Sequence, residues 1–93
     1  MPLYMIRSHV KPENRDAIMR RYAEAPEPVP GITSRGDWAS VHGDGAYHLM
    51  EADDVSAIAD ELLKYNDLCT YTIDPVYDTD TFFALLQKHG LVS

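Results

Sequence analysis

From Leu3 to Val10 the chain is a run of mostly β-compatible residues, apolar at first and mixed after Ile6, with Tyr4, Ile6, Ser8 and Val10 on one side and Leu3, Met5, Arg7 and His9 on the other. This is a strand, and Lys11-Pro12 stops it because proline has no N–H to give a ladder. From Pro12 or Asn14 to Ala25 the period changes: Ile18, Met19 and Tyr22 form a short apolar stripe at helical spacing. A stripe that short makes the helix dependent on tertiary packing. Pro26, Pro28 and Pro30 then form a rigid linker, too short to separate domains. Two strands follow, Ile32–Val41 and Ala46–Ala52, folded on the turn His42-Gly43-Asp44-Gly45. In the first, Ser34, Gly36, Trp38 and Ser40 oppose Thr33, Arg35, Asp37, Ala39 and Val41. Neither side is cleanly apolar, which marks an edge or interface strand. In the second, Tyr47 and Leu49 oppose Ala46, His48 and Met50.

The clearest helix runs from Asp53 to Tyr65. Val55, Ile58, Ala59, Leu62 and Leu63 share a face, and Asp53 or Asp54 caps the start. Leu68–Tyr77 is a fourth strand whose Pro75 predicts an edge position or a bulge. Asp78 to Thr81 cap a last helix carrying Phe82, Phe83, Leu85 and Leu86, with Gly90 as its stop. The order β-α-β-β-α-β plus a C-terminal helix predicts one α+β domain over residues 1–93, of the ferredoxin-like split βαβ kind. Two helices cover one face of a four-stranded antiparallel sheet. The uncovered face, expected to carry Arg7, His9, Trp38, His48, Met50 and Thr72, calls for a second copy packed sheet to sheet.

Composition narrows the function classes. Eight basic against fifteen acidic residues give a net charge of −7, unsuited to nucleic acid or an anionic membrane. No apolar run approaches the ~20 residues of a membrane span. Residues 1–6 lack a basic leader and already read as strand, so no signal peptide is expected, and the single Cys69 fits a reducing cytoplasm.

Candidate chemistry is sparse. No HxxxH, HxH or CxxC spacing supports a metal site, and Cys69, alternating with Tyr71 and Ile73, reads as core. Gly43-Asp44-Gly45 joins two strands and is turn chemistry rather than a phosphate loop. Of Glu51, Asp53 and Asp54, the two aspartates are accounted for as helix caps. The sharpest grouping is Arg7, His9, Trp38, His48 and Thr72, expected to face a shared space between two sheets. One aromatic wall, two imidazoles and a cation there suit a small aromatic or carboxylated ligand, with no cofactor called for.

Tyr4-Met5-Ile6 leading to Val10-Lys11-Pro12, Pro30-Gly31 before a strand with Trp38, Gly43-Asp44-Gly45, Leu49–Asp54, and Asp67-Leu68 before Tyr71–Val76 resemble, in order and spacing, an uncharacterised bacterial family, domain of unknown function 3303. The resemblance covers about residues 3–77 and implies the dimeric α+β barrel superfamily, hence a homodimer whose sheets form a barrel. It carries no established reaction. The superfamily includes cofactor-free monooxygenases, haem-degrading enzymes and ligand-binding proteins. The haem degraders pair a first-strand Asn with a Trp and a helix His. Here the first strand offers Ser8 and His9 and the second helix has no His, which argues against haem chemistry. The leading expectation is a small homodimeric binding or interaction protein. A cofactor-free monooxygenase acting on a small aromatic substrate is the alternative, and a purely structural dimer comes third.

Overall fold

A computed structural model describes residues 2–93. Strand β1 (Leu3–Val10) leads through a 3-10 turn (Pro12–Asn14) into helix α1 (Arg15–Glu24). Strands β2 (Ile32–Ala39) and β3 (Gly45–Ala52) form a hairpin. Helix α2 (Val55–Leu63), strand β4 (Cys69–Val76) and helix α3 (Thr79–Lys88) complete the chain. The four strands are antiparallel in the order β2-β3-β1-β4. Both strands marked as edges by their residues are edges: β2 by its mixed faces, and β4 by Pro75, which sits opposite Tyr4.

Local chemistry sets the helix starts. The Asp54 carboxylate accepts from the Ser56 N–H at 2.9 Å, and that of Asp78 from the Thr81 N–H at 2.7 Å. Asn14 occupies the N-cap position of α1, but its side chain is used elsewhere: the amide donates to the Leu68 carbonyl at 3.1 Å.

The core lies between α2 and one sheet face. Ile6, Met50, Ala52, Ile58 and Leu62 form it, with Tyr4, Ile32 and Tyr71 packed around them. Met50, expected on the uncovered face, is a core residue, because the register pairs it with Tyr4 on the helix-covered side. Of the five-residue stripe on α2, only Ile58 and Leu62 are buried; Val55, Ala59 and Leu63 are exposed. The stripe is wider than the contact because a single helix meets the sheet along a narrow seam.

Two helices are not fully docked. Every residue of α1 stays exposed or half-buried. In α3 all but Leu86 are exposed, including Phe82 and Phe83. The radius of gyration, 15.8 Å, accordingly exceeds the about 12 Å of a compact chain of this length.

Candidate functional site

The hairpin decides which side chains share a face. Its register is interrupted between Ser34 and Gly36, so Arg35 is the extra residue of a bulge. Before the bulge Ser34 pairs with Met50. After it, Gly36, Asp37, Trp38 and Ala39 pair with Leu49, His48, Tyr47 and Ala46. The alternation across Ser34, Gly36 and Trp38 expected from the sequence is therefore broken: Ser34 faces the helices, Gly36 and Trp38 the open side.

The five residues grouped by sequence do not share one face. Arg7 pairs with Tyr47 and Thr72, and His9 with Gly45 and Thr70. Together with Trp38 they belong to the open face. His48 pairs with Ile6 and Asp37 and lies on the helix-covered face. The alternation within β3 holds as read, but its polar and apolar set is turned toward the helices, because Met50 and Ala52 must join Ile6 in the core.

On the open face Arg7 is engaged structurally. Its guanidinium donates to Asp44 at 2.9 Å and lies 4.7 Å from the Tyr47 ring centroid. The hydrogen bond from Arg7, first, and one from Ser40 pull the Asp44 carboxyl down to about 2. Arg7 thus pins the β2–β3 turn to β1. Trp38 folds over Gly36, where an added Cβ would lie 2.4 Å from its ring. Just over half of the Trp38 surface remains exposed.

The helix-covered face holds the larger site. A cavity of about 620 Å³ lies between α1, the end of α2 and the sheet. Ser8, Ala46, His48, Met50 and Tyr71 line it from the sheet, Ile18, Met19 and Tyr22 from α1, and Leu62 and Tyr65 from α2 and the turn after it. It exists because α1 is tethered at its ends by polar contacts instead of being packed down. At one end stands the Asn14–Leu68 bond. At the other, Arg21 donates to the Lys64 carbonyl at 2.9 Å and grips Asp67 through both carboxylate oxygens, at 2.5 and 3.1 Å. The linker is fastened by the Val29 N–H, which donates to buried Glu61 at 2.9 Å. Glu61 also pairs with Lys64 at 2.8 Å.

Several polar groups lie within this lining. His48 Nδ1 and Asp37 Oδ1 are 2.5 Å apart, with the Ser34 hydroxyl donating to the other Asp37 oxygen at 3.3 Å. The Ser8 hydroxyl is spent on the sheet: it accepts from the Ala46 N–H at 2.9 Å and donates to the Ala46 carbonyl at 3.3 Å. Tyr65 is 7% exposed, and its hydroxyl has no hydrogen-bond partner among the described residues. Burial pushes the ionisation of Tyr65 and Tyr71 up, so both rings stay neutral. It pushes the Cys69 thiol up as well, in keeping with the core role read from the sequence. The thiol, 8% exposed, donates to the Tyr65 carbonyl at 3.5 Å.

Asp37, Tyr65 and Tyr71 were not singled out by sequence. The alternation of Tyr71 with Cys69 and Ile73 signalled its face, but nothing local paired Asp37 with His48. His42, on the exposed turn, and His89, at the end of α3, take no part.

A four-stranded antiparallel sheet with α1 and α2 on one face defines a ferredoxin-like α+β domain. The sequence model of the family described as Domain of unknown function (DUF3303) matches residues 2–90, and the chain belongs to that family. Among solved structures, the crystal structure of PA3566 from Pseudomonas aeruginosa is similar, with a TM-score of 0.56 and 20% identity over 83% of this chain and 93% of that one. At that identity the likeness is one of fold. No curated protein matches the chain. Among the described residues no helix is long and apolar enough to cross a membrane.

Proposed function

We propose that the chain is a small homodimeric ligand-binding protein that holds its ligand under α1, on the helix-covered face, and meets its second copy through the open sheet face. The observation that carries the binding reading is the cavity of about 620 Å³. That is the size of small-molecule sites, and its walls are mostly apolar with a few polar groups. A helix whose own residues stay unburied is the natural cover for such a site, since moving it gives up little packing. The neutral fluorophore N-phenyl-1-naphthylamine is expected to bind saturably, one per chain, with a rise in emission. Ala46→Phe, which fills the cavity floor, should weaken that binding at least about tenfold while the far-UV spectrum stays unchanged. A rise in emission that Ala46→Phe leaves untouched overturns this location.

The second copy is supported by area. The chain exposes 6583 Å², against about 5,400 Å² for a compact monomer of its mass. The excess, about 1,200 Å², is above the ~800 Å² that each partner contributes to a standard interface. Trp38 and Tyr47 on the open face, and Phe82 and Phe83 on α3, are among the large apolar side chains that stand uncovered. Light scattering at micromolar concentration is expected to give twice the 10.5 kDa chain mass. Trp38→Asp is expected to give the chain mass itself. A wild-type monomer would remove the barrel arrangement.

The catalytic alternative, cofactor-free oxygenation of a small aromatic compound, is favoured only by the Asp37–His48 pair. In that reading His48 takes a proton from a phenolic substrate, the carbanion adds and reduces dioxygen to a peroxide anion, and His48 returns the proton. The hydroperoxide then breaks its O–O bond, losing the remaining hydrogen of that carbon with hydroxide as water to leave a quinone. Dioxygen uptake in step with substrate loss, abolished by His48→Leu, would distinguish an enzyme from a binding protein.

A further inference from the structure

We propose that the cavity under α1 takes an uncharged, elongated apolar molecule with a hydroxyl group at each end, one bound by His48 and the other by Tyr65. This rests on the ligand-binding reading above and adds the chemistry of the ligand.

The His48 end is set by Asp37. A carboxylate only accepts, so at 2.5 Å the Nδ1 position carries the proton that Asp37 receives. In the tautomer this hydrogen bond selects for an uncharged imidazole, Nε2 is left as an acceptor, suited to an O–H donor. Ser34 holds the second Asp37 oxygen and fixes the pair in place.

The Tyr65 end is set by an unmet need. A hydroxyl on a residue 7% exposed and without a partner is costly in a folded protein, where buried polar groups are almost always paired. Tyr65 lines the cavity, and a ligand hydroxyl there supplies the missing partner.

The charges of the lining argue for a neutral ligand. Asp37 is engaged by His48 and Ser34, and Glu61 by Val29 and Lys64, so each carboxylate already has donors of its own. Arg15, the one guanidinium in the lining, is exposed, and the chain carries a net charge of −7, which disfavours an anion.

The sheet sets the length. His48 is on β3, while Tyr65 sits beside the start of β4, where the Cys69 N–H donates to its carbonyl at 3.2 Å. With β1 between them, and with His48 opposite Ile6 while Cys69 is opposite Val10, the two ends are two strands apart across the sheet and offset by four residues along it, which calls for an elongated ligand. Between them the Ser8 hydroxyl is already bound to Ala46, leaving an apolar middle.

The test uses 2,6-dihydroxynaphthalene, its dimethyl ether and 6-hydroxy-2-naphthoate in fluorescence titrations of the full chain. The diol is expected to bind at least about tenfold tighter than the ether, as expected for two hydrogen bonds gained. His48→Leu and Tyr65→Phe should each weaken the diol several-fold and leave the ether unchanged. Tyr65→Phe removes an unpaired hydroxyl, so it is expected to fold at least as stably as wild type and decides the matter even if His48→Leu does not fold. Equal affinity for diol and ether, unmoved by either variant, overturns the two-ended hydroxyl assignment while leaving an apolar binding site. Tighter binding of the naphthoate than of the diol overturns the neutral assignment. No binding of any of the three by wild type removes both this proposal and the reading it rests on.

Discussion

Ile58→Ala is expected to lower the stability of the chain by about 2–5 kcal/mol, the range for truncating a buried branched aliphatic side chain. Ile58 is 1% exposed and packs at the centre of the cluster with Ile6, Met50, Ala52 and Leu62. A domain of this size has only about 5–15 kcal/mol in total, so the variant should be close to half unfolded in mild denaturant. Leu63→Ala, five residues further along the same helix and 60% exposed, should change stability by less than about 0.5 kcal/mol. Urea titrations with the slope held constant would measure both. Equal losses would mean that α2 meets the sheet through a wider face than Ile58 and Leu62.

Gly45→Ala is expected to be at least as damaging, on the order of 3 kcal/mol or more, and by a different cause. Gly45 has φ +149°, a conformation that side chains other than glycine rarely adopt, and a Cβ there would lie 1.9 Å from the Ser8 carbonyl oxygen. The obstruction is backbone, so no rotamer relieves it. The same spot holds the hairpin closed: the Ser40 N–H donates to the Gly45 carbonyl at 3.0 Å, and the Val10 N–H to that of Asp44 at 2.7 Å. The substitution should therefore loosen β2 and β3 together with the Arg7–Asp44 clasp. It would be read as lost amide protection along β3 at temperatures where the wild-type chain is fully folded. Wild-type protection in Gly45→Ala would show that the hairpin tolerates a shifted register at this point.

These two expectations draw on different depths of information. The elements were legible because each announces itself locally: β-compatible runs bounded by proline or glycine in β1 and β3, Asp54 and Asp78 at helix starts, and Pro75 on an edge strand. Strand ends were less so. β2 stops at Ala39, because Ser40 is already committed to the turn through its bonds to Gly43 and Gly45. The candidate site was legible only in pieces. Arg7, His9, Trp38 and Thr72 do share the open face, whereas His48 belongs to the other, paired with Asp37 and lining the same cavity as Tyr65 and Tyr71.

The sequence by itself determined the order of elements, the ferredoxin-like class, the caps, and the relative parity of side chains within β1, β3 and β4, since all of these follow from neighbours a few residues apart. Only the tertiary structure decided which face of β3 meets the helices, because parity is relative until a strand is paired and Met50 and Ala52 are drawn to Ile6. It alone brought Asp37 to His48, through a bulge at Arg35 that no local pattern demanded. It alone opened the cavity, because α1 is held at its ends by Asn14 and Arg21 bonding to groups 54 and 43 residues away, contacts that a short amphipathic stripe does not reveal.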